Sequence, residues 1–406
     1  MILFTLAWRN LWRNKRRTLI TAASVFFAVL LAIVMRSFQE GTYEKMIENV
    51  VSFYSGYAQI HKTGYWDDQS LDNSFEVNPA FTQTLENQPL VADAVPRLES
   101  FALASSGEIS EGCLLIGTDP GPEDALTHLS GMITRGRYFE PGAQGVMVAE
   151  GLSEKLHLGV NDTLVLISQG YQGVTSAGKY VITGLVKFGS PELNDRMVYL
   201  PLPEARKFYG APDRVTSFAL SIDDPHQVPQ LLQSLKTSFT SEEYEVMGWK
   251  DLMPELVQLI EADRAGGILM MAILYTIIGF GMFGTVLMMT AERQYEMGVM
   301  TAIGMKKSRL AAIITIETIM ISMIGVVAGA IGSLPVVVYF HQNPIYLGDK
   351  MAEAYAEFGM EAVFPMAISP QIFFSQALVV FIFAWLVSIY PAWKIMHLNP
   401  IKAMHS

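Results

Sequence analysis

Four apolar runs limit what this chain can become. Residues 18–38, 265–290, 310–340 and 372–391 are each long enough to approach or exceed about 30 Å of hydrocarbon at about 1.5 Å per residue. In lipid, backbone polar groups must bond within the segment, so each run reads as a transmembrane helix. The chain is 51% hydrophobic and only 17% charged, which suits partial burial in a membrane. Residues 39–264 have ordinary globular composition and enough length to bury a core of their own. The predicted architecture is an α-helical membrane protein with four transmembrane helices and a large α+β domain between helices 1 and 2.

Charge sets the expected orientation. Residues 1–17 hold five basic residues (Arg9, Arg13, Lys15, Arg16, Arg17) and no acid. Segment 291–309 adds Arg293, Lys306, Lys307 and Arg309 against Glu292 and Glu296, and the tail 392–406 adds Lys394 and Lys402. Residues 40–264 hold 15 Lys and Arg against 32 Asp and Glu. The positive-inside rule then places both termini and 291–309 in the cytoplasm, with 39–264 and the loop 341–371 outside. A formal net charge of −11 argues against nucleic acid as a partner. The first run has a basic flank like a signal peptide, but Met35-Arg36-Ser37-Phe38-Gln39 is no cleavage site, so it reads as an uncleaved anchor. The single cysteine, Cys113, excludes an intrachain disulfide and reads as a core thiol.

Alternation and turn residues mark strands in the large domain at 55–61, 113–117, 146–149, 163–167, 180–186, 197–200 and 217–222. A helix is expected over 151–156, with Gly159 as its left-handed terminator, and another over 203–209. Asn161-Asp162 makes a turn. The domain reads as two lobes. After Pro254, ELVQLIEADRAGG enters the second span without a strong breaker, so that span is expected to start as a stalk outside the membrane.

Catalytic signatures are missing. The sequence has no Walker A loop, no HExxH, no zinc-type cysteine pair and no GxSxG, so neither an enzyme nor a directly bound cofactor or metal is expected. Asp67, Asp68, Asp72 and Glu76 lack Ca²⁺-loop spacing and read as a solvated acidic loop. Glu317, inside the third span, is a functional suspect by position; pairing with Arg293 or the basic patch is the simpler reading. Gly266, Gly267, Gly279, Gly281 and Gly284 in the second span, and Gly325, Gly329 and Gly332 in the third, permit close helix approach. That approach serves either a subunit interface or packing within one bundle. Four spans are too few to enclose a wide conduit, so a dimer is expected.

ERQYEMGVMTAIG (292–304) lies between the second and third spans, beside Lys306, Lys307 and Arg309. In helical register Tyr295, Val299 and Ala302 fall on one side, with Met297, Met300 and Gly304 on others. Such a short, largely apolar helix either docks into a cleft on a cytoplasmic partner or lies at the membrane interface with no partner.

Taken together these segments resemble the FtsX-like/MacB-type (type VII) ABC transporter permeases. AWRNLWRNKRRTLIT (7–21) looks like the family's approach to its first span. ERQYEMGVMTAIGMKKSRL (292–310) is similar to its coupling helix, with Arg293, Glu296, Ala302 and Gly304 on the motif positions. PAWKIMHLNPIKAM (391–404) resembles its closing motif through Pro391, Pro400 and Ala403. LLIGTDP, GRYFEPG, VAEGLSEKLHLGVNDTLVL and RMVYLPLPEARKFYG look like the MacB-like periplasmic core domain. YAQIHKTGYW (57–66) and the chain length look most like the LolC/LolE lipoprotein-release branch, while 17 residues before the first span depart from the plan with a fused ATPase.

The resemblance implies a bacterial inner-membrane subunit, a separate cytoplasmic ABC ATPase carrying ATP and Mg²⁺, and a second permease protomer, identical or paralogous. It also implies a lipoprotein or amphiphile substrate and a periplasmic carrier or adaptor. Arg293, Tyr295, Glu296, Met297, Val299, Met300, Ala302, Ile303 and Gly304 are the expected ATPase-coupling residues. Met35, Phe38, Met271 and Tyr275 are expected to line a substrate cavity between the first span of one protomer and the second span of the other. The expected mechanism is mechanotransmission, in which motor closure presses the coupling helices and the stalks move the outer domains. Export of peptides, antibiotics or other amphiphiles, and a signalling scaffold acting on a cell-wall hydrolase, are the competing readings.

Overall fold

The computed structural model describes residues 2–13, 15–140, 142, 145–188, 191–239, 242–346 and 363–397. Pro400, Lys402 and Ala403 of the closing motif lie outside the described residues, as does most of the loop 341–371. The chain divides into two compact units: Met1–Lys45 with Leu259–Ile345 and Val363–Ser406, and Met46–Gln258 with Tyr346–Ala362.

In chain order the principal elements are α1 (Ile2–Arg13) and α2 (Lys15–Val50); β1 (Ala58–Lys62), β2 (Phe75–Glu76), α3 (Pro79–Glu86), β3 (Ala94–Ser105) and β4 (Ser110–Thr118); α4 (Pro120–Thr127), β5 (Ile133–Gly136), β6 (Gly145–Ala149), β7 (Thr163–Gln169), β8 (Thr175–Val186) and β9 (Met197–Pro201); α5 (Leu202–Tyr209), β10 (Arg214–Val215), β11 (Ser217–Leu220), α6 (Val228–Ser238) and β12 (Tyr244–Gly248); then α7 (Pro254–Glu292), α8 (Gln294–Ala302), α9 (Lys307–Gln342) and α10 (Pro370–Met396).

The helical unit contains four helices long and apolar enough to cross a membrane, those of the four predicted runs. Each helix overruns its apolar stretch. α2 continues to Val50, well past residue 38, because the polar sequence there holds no proline and its one glycine, Gly41, is needed for contact: a Cβ there would stand 2.2 Å from the Pro365 carbonyl oxygen. α7 starts at Pro254, eleven residues before Ala265, and runs unbroken through it, so the segment expected to form the stalk is helical. The bundle core is built from Val25, Val29 and Ile33 of α2, Tyr275 and Met282 of α7, Val326 and Val337 of α9, and Val380 and Ala384 of α10. Gly325 and Gly329 serve packing within this one chain. A Cβ at Gly325 would lie 2.6 Å from that of Val25, and one at Gly329 would lie 2.8 Å from the Phe26 carbonyl oxygen. A Cβ at Gly281 or Gly284 of α7 would meet open space.

The inserted unit is α+β. Its main sheet runs β12-β1-β11-β3-β4-β9-β6-β8-β5, with β7 closing on β3 and β8. Most pairs are antiparallel; β4 with β9 and β6 with β8 are parallel. Among the described residues two large hydrophobic cores pack along it, beside a small cluster of Val95, Leu126 and Ala219. Phe75, Phe81, Phe218, Phe239 and Tyr244 centre one, and Leu98, Leu115, Met147, Leu166, Val198 and Tyr199 belong to the other; both lie along one continuous sheet within a single compact unit, where two lobes were expected. Asn78 caps α3 by accepting the Phe81 N–H at 2.7 Å, with Pro79 at the first helical position. Cys113 is buried in the second core, and burial pushes its thiol up to about 12.

One local expectation fails. The helix Glu150–Leu156 is terminated by His157 at φ 53°, two residues before Gly159. Leu158 N–H closes the end on the Ser153 carbonyl at 3.0 Å, and Gly159 is not among the residues with positive φ. Histidine tolerates the left-handed region better than most residues, so glycine is not required there.

Candidate functional site

The turn between α7 and α9 is built from its backbone outward. α7 ends at Glu292, Arg293 breaks the helix as a non-helical residue, and α8 restarts with Met297 N–H on the Arg293 carbonyl at 2.9 Å. At the other end Gly304 takes φ 105°, a left-handed conformation that disfavours side chains with a Cβ. Met305 N–H then reaches back to the Met300 carbonyl at 3.0 Å, closing the helix before α9 begins at Lys307.

Two ion pairs fix this helix to the bundle. Arg293 Nη1 donates to both Glu317 carboxylate oxygens at 2.8 Å, and its Nη2 donates to the Asn10 carbonyl of α1 at 3.3 Å. The Glu317 side chain is 4% exposed and that of Arg293 14%, so the pair is sheltered and neutralised in place. Glu317 is thereby engaged by the partner expected for it. Arg13 of α1 pairs with Glu296 on the outer side of α8.

The predicted coupling residues separate into two groups. Met297 is 3% exposed and packs with Leu310, Ala311, Ile314 and Ile395, with Met300 against them. Those two methionines hold α8 to α9 and α10, so Met297 is core rather than the docking surface expected of it. Tyr295 is 59% exposed and Ile303 82%, with Glu296, Ala302 and Gly304 also exposed and Val299 half-buried. The open face of α8 is therefore carried chiefly by Tyr295 and Ile303.

The four predicted cavity residues also separate. Met35 is exposed on α2. Phe38 is half-buried and stacks on Phe364 at 5.7 Å, and Met271 is half-buried beside the bundle core. Tyr275 is buried, donates its hydroxyl to Gln376 of α10 and stacks on Phe383 at 5.7 Å. Tyr275 thus binds α7 to α10 inside one chain, where a free wall of a cavity was expected.

Two polar centres escaped sequence reasoning. One joins α2 to α7: Asp263 Oδ2 accepts from the Tyr43 hydroxyl at 2.6 Å and from Gln39 at 3.3 Å, and Glu40 pairs with Arg36 at 3.2 Å and Arg264 at 3.5 Å. Only the i,i+4 spacing of Arg36 and Glu40 was visible in advance. The other lies inside the inserted unit. Arg97 of β3, fully buried, grips Glu123 of α4 through Nε at 2.9 Å and Nη2 at 2.6 Å, and its Nη1 donates to the Tyr54 carbonyl at 2.5 Å. The Tyr54 hydroxyl in turn donates to Glu99 at 2.7 Å. Burial holds the Glu99 carboxyl above its usual range, against the pull of Arg97 beside it. Tyr54 belongs to the π-helical turn Val51–Ser55 that follows α2, so this cluster fastens that turn to the sheet. The acidic loop ties down too: Asp72 accepts the Gln172 N–H at 2.8 Å and Glu76 pairs with Arg214 at 3.2 Å. Among the described residues no cluster of metal-ligand type occurs.

Comparison with known proteins matches this anatomy. The MacB-like periplasmic core domain family matches residues 18–238, and the FtsX-like permease C-terminal family matches residues 268–400. The lipoprotein-releasing system transmembrane protein LolC of Neisseria meningitidis serogroup B is 23% identical over 324 residues, covering 77% of this chain and 75% of that one. The macrolide export ATP-binding/permease protein MacB of Nitrobacter winogradskyi is 21% identical over 405 residues, covering 96% of this chain and 58% of its own length. The periplasmic region of MacB from Actinobacillus actinomycetemcomitans overlays 53% of this chain and 98% of its own at 15% identity, with a TM-score of 0.36. With one family spanning the first apolar run and most of the insert, and the other the remaining three runs and the turn at α8, the chain belongs to the FtsX-like, MacB-type ABC transporter permeases.

Proposed function

We propose that this permease extracts lipoproteins from the outer leaflet of the bacterial inner membrane, driven by a separate cytoplasmic ABC ATPase through mechanotransmission. The observation that carries the reading is the construction of α8. A short helix presents exposed Tyr295 and Ile303 on one side, while its other side is locked into the bundle by Met297 and by the Arg293–Glu317 pair. Force applied to such a helix passes to α9 and α10 through packed side chains, because dense packing leaves it little freedom to deform. ATP and Mg²⁺ belong to the ATPase, and no catalytic role falls to this chain. Both termini and α8 face the cytoplasm in this scheme, and residues 46–258 face the periplasm.

The lipoprotein cargo is favoured by the LolC match, which spans three quarters of that relative's length. Removing acyl chains from a bilayer costs about 0.8 kcal/mol per CH₂, so a motor and a receiving periplasmic carrier are both needed. Two permease protomers, alike or paralogous, would hold the chains between the first span of one and the second span of the other. Met35 offers an exposed apolar side chain for that contact, and Phe38 and Met271 are half-exposed. The decisive experiment places a photo-crosslinking residue at Met35 in cells and looks for lipidated protein in the adduct. A lipoprotein adduct that ATP turnover depletes is expected; an adduct-free result at Met35 and Met271 sinks the cargo assignment. The match to MacB favours a second reading, export of a macrolide-like amphiphile through an adaptor, which predicts raised drug susceptibility on deletion. A scaffold for a cell-wall hydrolase predicts a division defect with neither.

A further inference from the structure

We infer that α1 is a membrane-surface helix that selects anionic phospholipid headgroups at the start of the first span. Its buried side is narrow: Ala7 and Leu11 face the bundle at 0% and 1% exposure. Phe4, Trp8 and Trp12 recur every four residues along the flank and stay 59%, 46% and 49% exposed. The two indoles meet edge to face, with centroids 5.9 Å apart. Exposed aromatic side chains on a helix outside the apolar run are the composition found where bilayer meets water.

Position and charge decide what covers this stripe. Arg13 and Lys15 are two residues apart, so the end of α1 lies within about 7 Å of the first residue of α2, which runs continuously into the first span three residues later at Thr18. Arg9, Lys15 and Arg16 are exposed, and residues 1–17 contain no acid. Arg13 is already paired with Glu296. A surface that is aromatic on one flank and purely cationic beside it complements a bilayer whose headgroups carry negative charge. A neutral bilayer would satisfy the tryptophans and leave the arginines without counter-charge. This assignment needs only that the chain spans a membrane, and stands whether the cargo is a lipoprotein or another amphiphile. Because α1 also holds α8, through Asn10 and Arg13, the leaflet's charge sits directly behind the coupling turn.

The test uses the full-length permease in nanodiscs of neutral phosphatidylcholine, doped with brominated phosphatidylglycerol or with brominated phosphatidylcholine at equal mole fraction. Tryptophan emission is recorded for the wild type and for a Trp8→Phe/Trp12→Phe variant, whose difference isolates the two indoles. Brominated phosphatidylglycerol is expected to quench that difference signal roughly twofold more than brominated phosphatidylcholine at low salt. The excess should vanish in Arg9→Gln/Arg16→Gln, survive in Arg9→Lys/Arg16→Lys, and shrink at high ionic strength. Equal quenching by the two lipids would overturn the selection of anionic headgroups. Absence of quenching by either would assign the aromatic stripe to a protein partner and overturn the inference entirely.

Discussion

Arg97 illustrates how a single residue can organise its surroundings. It has no solvent contact, and its charge is met by Glu123 in a bidentate pair and by Glu99 at 3.6 Å. Breaking a buried pair leaves an uncompensated charge, which is the expensive outcome. Glu123→Gln should therefore destabilise the full chain by about 3 kcal/mol, the low end of the usual range for a broken buried pair because Glu99 remains as a counter-charge. The measurement is the urea midpoint of the detergent-solubilised protein, followed by far-UV circular dichroism; an unchanged midpoint would remove the cluster from the stability argument. Nothing in the sequence paired these residues, since Arg97 and Glu123 lie on different elements and are 26 positions apart. Glu317 was the opposite case. One acid inside an apolar run demands a partner, and the nearest basic residues in sequence included the one it found.

The helix α8 separates two roles that residue type alone left mixed. Methionine, tyrosine and isoleucine all qualify as docking side chains, but Met297 is covered by α9 and α10 while Tyr295 and Ile303 are open. Met297→Ala should lower the thermal midpoint of the isolated permease, with a loss of about 2–5 kcal/mol for a truncated core side chain. Tyr295→Ala and Ile303→Ala should leave that midpoint unchanged and instead weaken co-purification of the ATPase at least tenfold in apparent affinity, roughly 1.4 kcal/mol. Loss of ATPase binding with Met297→Ala at full stability would reverse the assignment. The helical period of 292–304 established that a helix forms here; which side faces inward depended on where α9 and α10 pass, and the period carries no such information.

For the whole molecule, orientation is the property on which the mechanism rests. The asymmetry of Lys and Arg predicts the inserted unit outside and the 291–309 turn inside. Cys113 is buried with its thiol pushed up to about 12, so it should be silent toward maleimides and provide a background-free chain for substituted-cysteine labelling. Lys179→Cys, on an exposed position of β8, should react with a membrane-impermeant maleimide in intact spheroplasts, and Ser308→Cys should react only after permeabilisation. The reverse pattern would invert the permease and remove α8 from the ATPase. Both sites are exposed, so a failure to label would report topology rather than burial.

The amino-acid order by itself determined the four apolar spans, the α+β insert between the first two, the unbroken helical entry ahead of Ala265 and the short helix before Gly304. Each of these follows from local quantities: run length against bilayer thickness, strand alternation, the absence of breakers, and helical period. Tertiary structure alone decided that Tyr275 and Met297 are interior, that Gly325 and Gly329 seat α2 within the same chain, and that Arg97 meets Glu123. Those outcomes depend on which surfaces meet across long sequence separations, and a side chain's chemistry is the same whichever neighbour finally covers it.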